Sequence, residues 1–276
     1  MSKKPIFYLE NRGGHLFLYH FLIYNLGGLY YICNGIYDMR SKKSSNKLND
    51  YRVKDRPSVE LTYPITICLD ERGGPLSGVI KEGFDIIKDR FKLITKLPEG
   101  DEYEIISIYG EPCDTNTATD NPDKICPFVR DLFLSRIPNI SMPRKKYFIR
   151  RKESKVRTIL NEEEFVERLK AYDIESIYLE EYSFEEKVNI FNSASMVIST
   201  NSSALTCILF CNKDVKVLEI IKNPHHCGLG FHYKIICNTL GLSYYRYSNV
   251  IEDGNGNFRI ENDSDIFKYI QDISDS

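Results

Sequence analysis

The chain has 276 residues, of which 42% are hydrophobic and 28% charged, and a formal net charge of −2; this balance is typical of a soluble globular protein with one or two domains. The near-neutral charge argues against a nucleic-acid-binding protein and against attraction to an anionic membrane. No stretch has the roughly 20 uninterrupted apolar residues of a membrane span, and the N-terminal residues lack the apolar core of a signal peptide. The sequence therefore predicts a cytoplasmic protein without a membrane helix.

The first half of the sequence has an irregular pattern of elements. Strands are predicted at 63–69 and 103–109 and a helix at 78–91, and residues 15–33 are expected to form either one helix or two half-helices broken near Gly27-Gly28. Two prolines within 137–146 precede the next strand, so we place the domain boundary there. The predicted domains are residues 1–140 and 141–276.

The second half alternates between apolar strands and amphipathic helices. The strands are predicted at 146–151, 174–179, 196–200, 215–221 and 242–248, and the helices at 161–172, 183–194, 202–210, 230–241 and 263–273. Asn161 and Ser183 are the expected N-caps of the first two helices, and Glu186 completes a capping box with Ser183. Such alternation predicts a Rossmann-like α/β domain, a parallel sheet covered by helices. Two α/β domains suggest a cleft between them, and the last helix, 263–273, is a candidate to pack back on the first domain.

Small polar residues interrupt the apolar run "VISTNSSALTCILF" (197–210) where a strand gives way to a helix. One interpretation is plain capping by Asn201 or Ser202. The other is an anion site at Thr200 to Ser203, because free backbone N–H groups and the positive end of a helix dipole favour a phosphate.

Arginines lie near the carboxyl end of the first strand of this half, at Arg150, Arg151 and Arg157. In a parallel sheet that end faces the same edge as 200–203, and a guanidinium matches phosphate oxygens. The alternative is a solvated basic loop. Glu219 ends another strand at this edge, where its carboxylate could accept ribose hydroxyls or simply face a helix.

The sequence offers no convincing metal site. The spacing of Cys207, Cys211, His225, His226 and Cys227 fits no zinc pattern, and the single Asp-x-Asp, 263–265, is explained by helix capping. No Gly-x-Gly-x-x-Gly turn follows a strand, which argues against a Rossmann dehydrogenase or methyltransferase.

The linked motifs "FIRRKESKVRTILNEEEF", "YLEEYSFEEKVNIFNSASMVISTNSSALTCILF" and "VKVLEI" resemble glycosyltransferase family 61 in order and spacing. The resemblance covers about 145–247 and extends weakly to "YHFLIYNLGGLYY" (19–31). This family includes plant β-1,2-xylosyltransferase and eukaryotic enzymes that transfer N-acetylglucosamine to protein or O-mannose. The Asn-, Lys- and Ile-rich composition suggests an AT-rich genome. With the missing membrane anchor, it suggests a bacterial or large-virus member of the family, and a viral member would act in the host cytoplasm.

The resemblance implies a GT-B fold, an inverting mechanism and a UDP-sugar donor, with no cofactor and no essential metal. Arg151 matches the arginine that ends the family's first C-domain strand, with Arg150 as a one-residue alternative, and Arg157 and Asn161 match its Arg-x-Ile-x-Asn element. The family usually has Gly-Pro-His-Gly where this chain has Ser199 to Ser202, so Asn201 replaces a histidine. The predicted donor site therefore comprises Arg150, Arg151, Arg157, Asn161, Asn201, Ser202, Ser203 and Glu219.

An inverting transfer needs a base that removes the proton of the acceptor hydroxyl. His20 matches the histidine of the family's N-terminal segment and is the first candidate, and His15 is the second. The expected partners are a nucleotide-sugar donor and a glycan acceptor, with xylose as the first donor sugar and N-acetylglucosamine as the second. A catalytically silent module that binds a sugar nucleotide or a glycan is the alternative.

Overall fold

The computed structural model describes residues 4–9, 18, 20–34, 61–69, 75–100, 102–108, 121–152, 156–222, 232–261 and 265–276. The chain divides into two compact units. The first contains the described residues up to Arg136, and the second contains those from Ile137 to Ser276.

The first unit is built on a parallel sheet. Its strands are β1 (Lys4–Leu9), β2 (Ile65–Leu69), β3 (Phe91–Ile94) and β4 (Tyr103–Ile108), in the order β3-β2-β1-β4. Its α-helices are α1 (Leu26–Cys33), α2 (Gly78–Ile86) and α3 (Pro122–Leu134). The predictions of β2, β4 and α2 are confirmed, whereas β1, β3 and α3 were not predicted; the short β3 fell partly inside the helix predicted to reach residue 91.

The helical segment runs through Gly27-Gly28 without a break, which confirms the unbroken alternative over residues 20–33. A π-helix, His20–Asn25, runs directly into α1. A Cβ atom added at Gly27 would lie 3.1 Å from Cγ2 of Ile125 on α3. The missing side chain therefore allows α1 and α3 to approach closely, and this packing outweighs the low helix propensity of glycine.

The second unit contains the predicted parallel sheet. Its strands are β5 (Lys145–Arg150), β6 (Ile174–Tyr178), β7 (Ala194–Thr200), β8 (Lys216–Ile220) and β9 (Ser243–Tyr247), in the order β6-β5-β7-β8-β9. Each of these strands was predicted within two residues at either end. Both units are thus parallel α/β structures, compatible with the predicted Rossmann-like class.

Helices cover this second sheet. They are α4 (Glu162–Leu169, followed by a 3₁₀ turn Lys170–Tyr172), α5 (Phe184–Ser193), α6 (His232–Leu240) and α7 (Ile266–Asp275). A short 3₁₀ turn, Leu179–Glu181, precedes α5. The capping box of Ser183 and Glu186 is present, whereas Asn161 occupies the N-cap position of α4 without a side-chain cap.

One prediction for the second unit is corrected. Residues Ser203–Phe210 form a 3₁₀ helix and not the expected α-helix. The last helix, α7, places its buried residues Ile266, Phe267, Ile270 and Ile273 in one core cluster with Phe148 and Phe165 of the second unit. Its apolar face therefore packs in the core of its own unit.

Between β9 and α7 lies a small antiparallel hairpin that the sequence pattern did not predict. Its strands are β10 (Ile251–Glu252) and β11 (Phe258–Arg259). Ile159 pairs with Phe258 through an isolated parallel bridge, which joins the hairpin to the segment that follows β5.

Candidate functional site

The sheet of the second unit brings most of the predicted donor residues to one edge. Strands β5, β7 and β8 are neighbours, and Ser199 is in register with both Ile149 and Glu219. The carboxyl ends of these three strands therefore carry the arginine segment, the 200–203 segment and Glu219 respectively. This edge is where parallel α/β sheets hold their ligands.

A chain of hydrogen bonds crosses this edge between the strands. Nη1 of Arg157 donates to Oδ1 of Asn201 at 2.9 Å, and Nδ2 of Asn201 donates to Oε1 of Glu219 at 2.5 Å. The hydroxyl of Tyr244 donates to Oε2 of Glu219, and Nη2 of Arg246 lies 3.8 Å from the same oxygen. Asn201 thus joins Arg157 to a buried carboxylate.

Glu219 is only 1% exposed, and burial raises the pKa of its carboxyl. The hydrogen bonds from Tyr244 and Asn201, and the charges of Arg246 and Arg157, oppose that rise. Each carboxylate oxygen already accepts from a protein donor. The geometry consequently favours Glu219 as the anchor of Asn201 over the predicted contact with ribose hydroxyls.

Arg151 and Arg157 lie close enough for their like charges to interact. Burial, and then the charge of Arg157, lower the pKa of Arg151, and the charge of Glu180 opposes this lowering. Nη1 of Arg151 donates to the carbonyl oxygen of Val156 at 2.7 Å. Neither arginine has a carboxylate within ion-pair distance among the residues that the structure describes. Two half-buried guanidinium groups therefore interact at the sheet edge, and neither forms an ion pair with a described carboxylate.

Arg150 has a different environment, although it is the neighbour of Arg151 in the chain. It forms ion pairs with Glu162, at 2.8 Å, and with Glu163, and its guanidinium carbon lies 4.6 Å from the centroid of the Tyr178 ring. Successive side chains of an extended segment point to opposite sides. The charge of Arg150 is thus compensated within the protein, which favours Arg151 as the anion-binding residue.

The 200–203 segment holds polar groups that no described residue satisfies. The hydroxyls of Thr200 and Ser202 are buried and lack a hydrogen-bond partner in the described part of the chain. Ser202 occupies the N-cap position of the 3₁₀ helix without a side-chain cap, and the amide of Asn201 is used by Arg157 and Glu219. Plain capping therefore does not explain these residues, because neither candidate side chain caps the helix.

Both ends of the Asn161 side-chain amide are hydrogen-bonded within the protein. Its Nδ2 donates to the carbonyl oxygen of Ile260 at 2.7 Å, and its Oδ1 accepts from the backbone N–H of Ile260 at 3.1 Å. Both ends of the amide thus hold the chain after β5 to the chain after β11. Ser203, the remaining predicted donor residue, begins the 3₁₀ helix at the sheet edge.

The predicted base residues belong to the first unit. His20 begins the π-helix, but its side chain lies outside the described part of the structure, as does the whole of His15. Their predicted roles therefore stay predictions.

No group of three or more His, Cys, Asp or Glu residues suited to a metal ion occurs among the described residues. Of the Asp-x-Asp at 263–265, only Asp265 is described, and its Oδ1 accepts hydrogen bonds from Tyr247 and Asn249.

Comparison with known families gives the class of protein. The sequence profile of glycosyltransferase family 61 matches residues 18–218, well over half of the chain. The chain belongs to glycosyltransferase family 61. Membership implies a sugar donor and an acceptor as substrates, and it confirms the family predicted from the motifs.

The match also divides the candidate residues of this family 61 member. His20, the three arginines, Asn161 and the segment 201–203 lie inside residues 18–218, whereas His15 and Glu219 lie outside. A search of curated proteins found no significant match to the chain. In the described part of this family 61 chain, no helix has the length and apolar character needed to cross a bilayer.

Some residues that contact the candidate site were not predicted from the sequence. Tyr244 and Arg246 lie on β9, and Arg246 is in register with Glu219 on β8. Their alternation in "SYYRY" could have placed them on one face of that strand. Tyr233 on α6 donates to the carbonyl oxygen of Ser202 at 2.5 Å, and nothing in the local sequence signals that contact.

Proposed function

We propose that this chain is a UDP-sugar-dependent glycosyltransferase whose second unit binds the donor diphosphate beside Arg151, Arg157 and the start of the 3₁₀ helix. One observation carries this proposal. The like charges of the two arginines interact, and neither arginine has an ion pair among the described residues. The same edge holds the buried hydroxyls of Thr200 and Ser202, which have no hydrogen-bond partner in the described chain.

Electrostatics supports an anionic ligand at this edge. Two guanidinium groups in a partly buried site repel each other, and an anion between them converts that repulsion into attraction. Each guanidinium offers a planar fork of donors that matches phosphate oxygens. The hydroxyls of Thr200 and Ser202 would supply further donors, because a buried polar group without a partner destabilises the protein.

The replacement of the family histidine by Asn201 changes how the donor would be held. The amide of Asn201 donates to Glu219 and accepts from Arg157. It therefore orients Arg157 and does not itself face the diphosphate. The positive charge at the site comes from the two arginines, with the partial positive charge of the helix start beside them.

The finer features of the reaction are part of the same proposal. The transfer is inverting and needs no metal, because the arginines and the helix start neutralise the leaving diphosphate in place of a divalent ion. The chain adopts the GT-B type of two-domain fold, residues 1–140 bind the acceptor, and His20 acts as the base. Xylose is the first donor sugar to test and N-acetylglucosamine the second.

A silent binding module is the alternative function, and Asn201 is the observation that favours it. A neutral amide that is engaged inside the protein cannot stabilise developing charge on the diphosphate as a histidine can. Release of UDP from the donor in the presence of simple sugar acceptors distinguishes the two functions. Binding without any turnover would favour the silent module.

The proposed donor class is tested by thermal unfolding with a panel of UDP- and GDP-sugars. A ligand at 100 times its dissociation constant adds about 2.7 kcal/mol to the free energy of unfolding. We expect UDP and at least one UDP-sugar to raise the melting temperature and the GDP-sugars to have less effect. If no member of the panel stabilises the chain, the proposed donor is wrong.

A further inference from the structure

The segment that carries Arg157 lies alongside the hairpin formed by β10 and β11. We define "the ladder" as residues 157–161 together with residues 256–260. Three backbone N–H groups of the ladder donate to carbonyl oxygens across it. Arg157 donates to Gly256 at 2.9 Å, Phe258 donates to Thr158 at 3.1 Å, and Leu160 donates to Phe258 at 2.8 Å. The paired bonds between Asn161 and Ile260 close its far end.

Arg157 has a backbone conformation that needs such support. Its φ is +60°, in the left-handed region that side-chain-bearing residues seldom adopt. Residues in that region persist when surrounding contacts hold them there, and they cluster at functional sites. The backbone N–H of Arg157 itself donates to Gly256, so this hydrogen bond acts directly on the strained residue.

The hairpin turn is organised to present its acceptor atoms to this segment. Gly256 has φ +94°, a conformation that glycine adopts without strain. Oδ1 of Asp253 accepts from the backbone N–H groups of Asn255 and Asn257. Oδ1 of Asn257 accepts from the N–H of Thr158 at 3.1 Å. The turn thus supplies two acceptors to consecutive N–H groups, those of Arg157 and Thr158.

We infer that the hairpin 251–260 positions Arg157 in the donor site, although it lies beyond the family match of residues 18–218. Asn201 fixes the guanidinium from one side, and the ladder fixes the backbone in the conformation that directs the side chain there. Gly256 and Asn257 are positioning residues, since they act through Arg157. This inference rests on the proposed diphosphate site at Arg151 and Arg157.

The test measures UDP affinity of the full chain by isothermal titration for Gly256→Ala and Asn257→Ala. We expect each variant to bind UDP roughly 5- to 30-fold more weakly, the factor that one or two kcal/mol produces. Gly254→Ala is the matched control. Gly254 also has a positive φ, +79°, in the same turn, but it lies outside the ladder and an added Cβ would meet nothing within 4 Å. Its UDP affinity should stay within about twofold.

Each substitution is repeated with Arg157→Ala to separate positioning from general stability. In that background Gly256→Ala should have no further effect on UDP affinity, because two residues that act through the same contact do not have additive effects. It should still lower the melting temperature as much as it does when Arg157 is present. In the wild type, UDP should also slow hydrogen exchange in peptides that cover 157–161 and 256–260.

The outcomes distinguish the inference from the proposed function. If both ladder variants bind UDP like the wild type while Arg157→Ala binds it more weakly, the positioning role is overturned and the donor site stands. If Gly256→Ala weakens binding equally with and without Arg157, the hairpin acts on stability alone and the inference is again overturned. If Arg157→Ala binds UDP as the wild type does, the donor site itself is wrong and the inference fails with it.

Discussion

The side-chain amide of Asn201 donates to the buried carboxylate of Glu219 across 2.5 Å. The oxygen of the same amide accepts a hydrogen bond from Arg157, so Asn201 donates to Glu219 with its nitrogen and accepts from Arg157 with its oxygen. Glu219 is 1% exposed and also accepts a hydrogen bond from Tyr244, so its buried carboxylate holds Asn201 in place. The position of a cationic side chain at the sheet edge therefore depends on a carboxylate that lies inside the sheet.

Removing Asn201 tests this relationship. In Asn201→Ala, a buried oxygen of Glu219 loses its donor and Arg157 loses its anchor, so we expect a loss of roughly 1–3 kcal/mol in the free energy of unfolding and weaker UDP binding. Denaturant unfolding and titration with UDP measure the two effects. Asn192→Ala is the control, since that amide donates to Asn139 at an exposed position, and its effect should stay near 0.5 kcal/mol or below, about the size of a surface substitution. Wild-type UDP affinity in Asn201→Ala would contradict the role of the amide.

Glu219 predicts a pH dependence of stability with a definite sign. Burial raises its pKa above the ordinary value of 4.5, so the folded state holds this proton more tightly than the unfolded chain does. The resulting stabilisation is fully present below pH 4.5 and is lost as the pH rises through the raised pKa. Glu219→Gln does not titrate, so the melting temperature of the wild type minus that of the variant should fall as the pH rises from 4.5. A difference that is constant up to pH 8 would show that the pKa is not raised.

Much of the second unit could be predicted because its strands and helices have strong local signals. Short runs rich in β-branched residues, such as 215–221, favour a buried strand. The capping box at Ser183 marks a helix start by itself. In the first unit the deciding contacts are distant in the chain. The close approach of Gly27 to Ile125 gives an apparent helix breaker a packing role, and no local sequence pattern indicates that contact.

The candidate site was predictable in position but not in its internal connections. Parallel topology requires that the ends of β5, β7 and β8 share an edge, so Arg151 and Asn201 could be placed there from sequence. Which atoms bind each other depends on side-chain direction. Neighbouring Arg150 and Arg151 differ because only Arg150 meets Glu162, and Asn161 serves the hairpin because Ile260 presents both backbone groups to it.

Metal independence is tested with a chelator. We expect sugar transfer to continue in EDTA, because Arg151, Arg157 and the helix start supply the positive charge that a divalent ion would otherwise provide. Initial rates with and without EDTA are compared, with a metal-dependent transferase in the same buffer as the control. Loss of transfer that manganese or magnesium restores would show that the diphosphate needs a metal.

His20 is tested as the base by comparing His20→Ala with His15→Ala. Removing a general base should lower the rate by roughly 10²–10⁴-fold, whereas UDP affinity should not change, because the proposed diphosphate contacts lie in the second unit. Turnover and UDP binding are measured for both variants. Near-normal turnover in His20→Ala would move the role to His15, and a joint loss of turnover and binding would indicate a structural role.

The central claim is that the donor diphosphate lies against Arg151, and a UDP titration of two adjacent variants tests it most directly. Arg151→Ala should weaken UDP binding by roughly 1.5–3 kcal/mol, the range for a hydrogen bond to a charged group. Arg150→Ala removes the same charge from the next position, but Arg150 is already paired with Glu162 and Glu163. It should lower the melting temperature and leave UDP affinity unchanged. Wild-type affinity in Arg151→Ala, or an equal loss in both variants, would contradict a diphosphate site at this edge of the sheet.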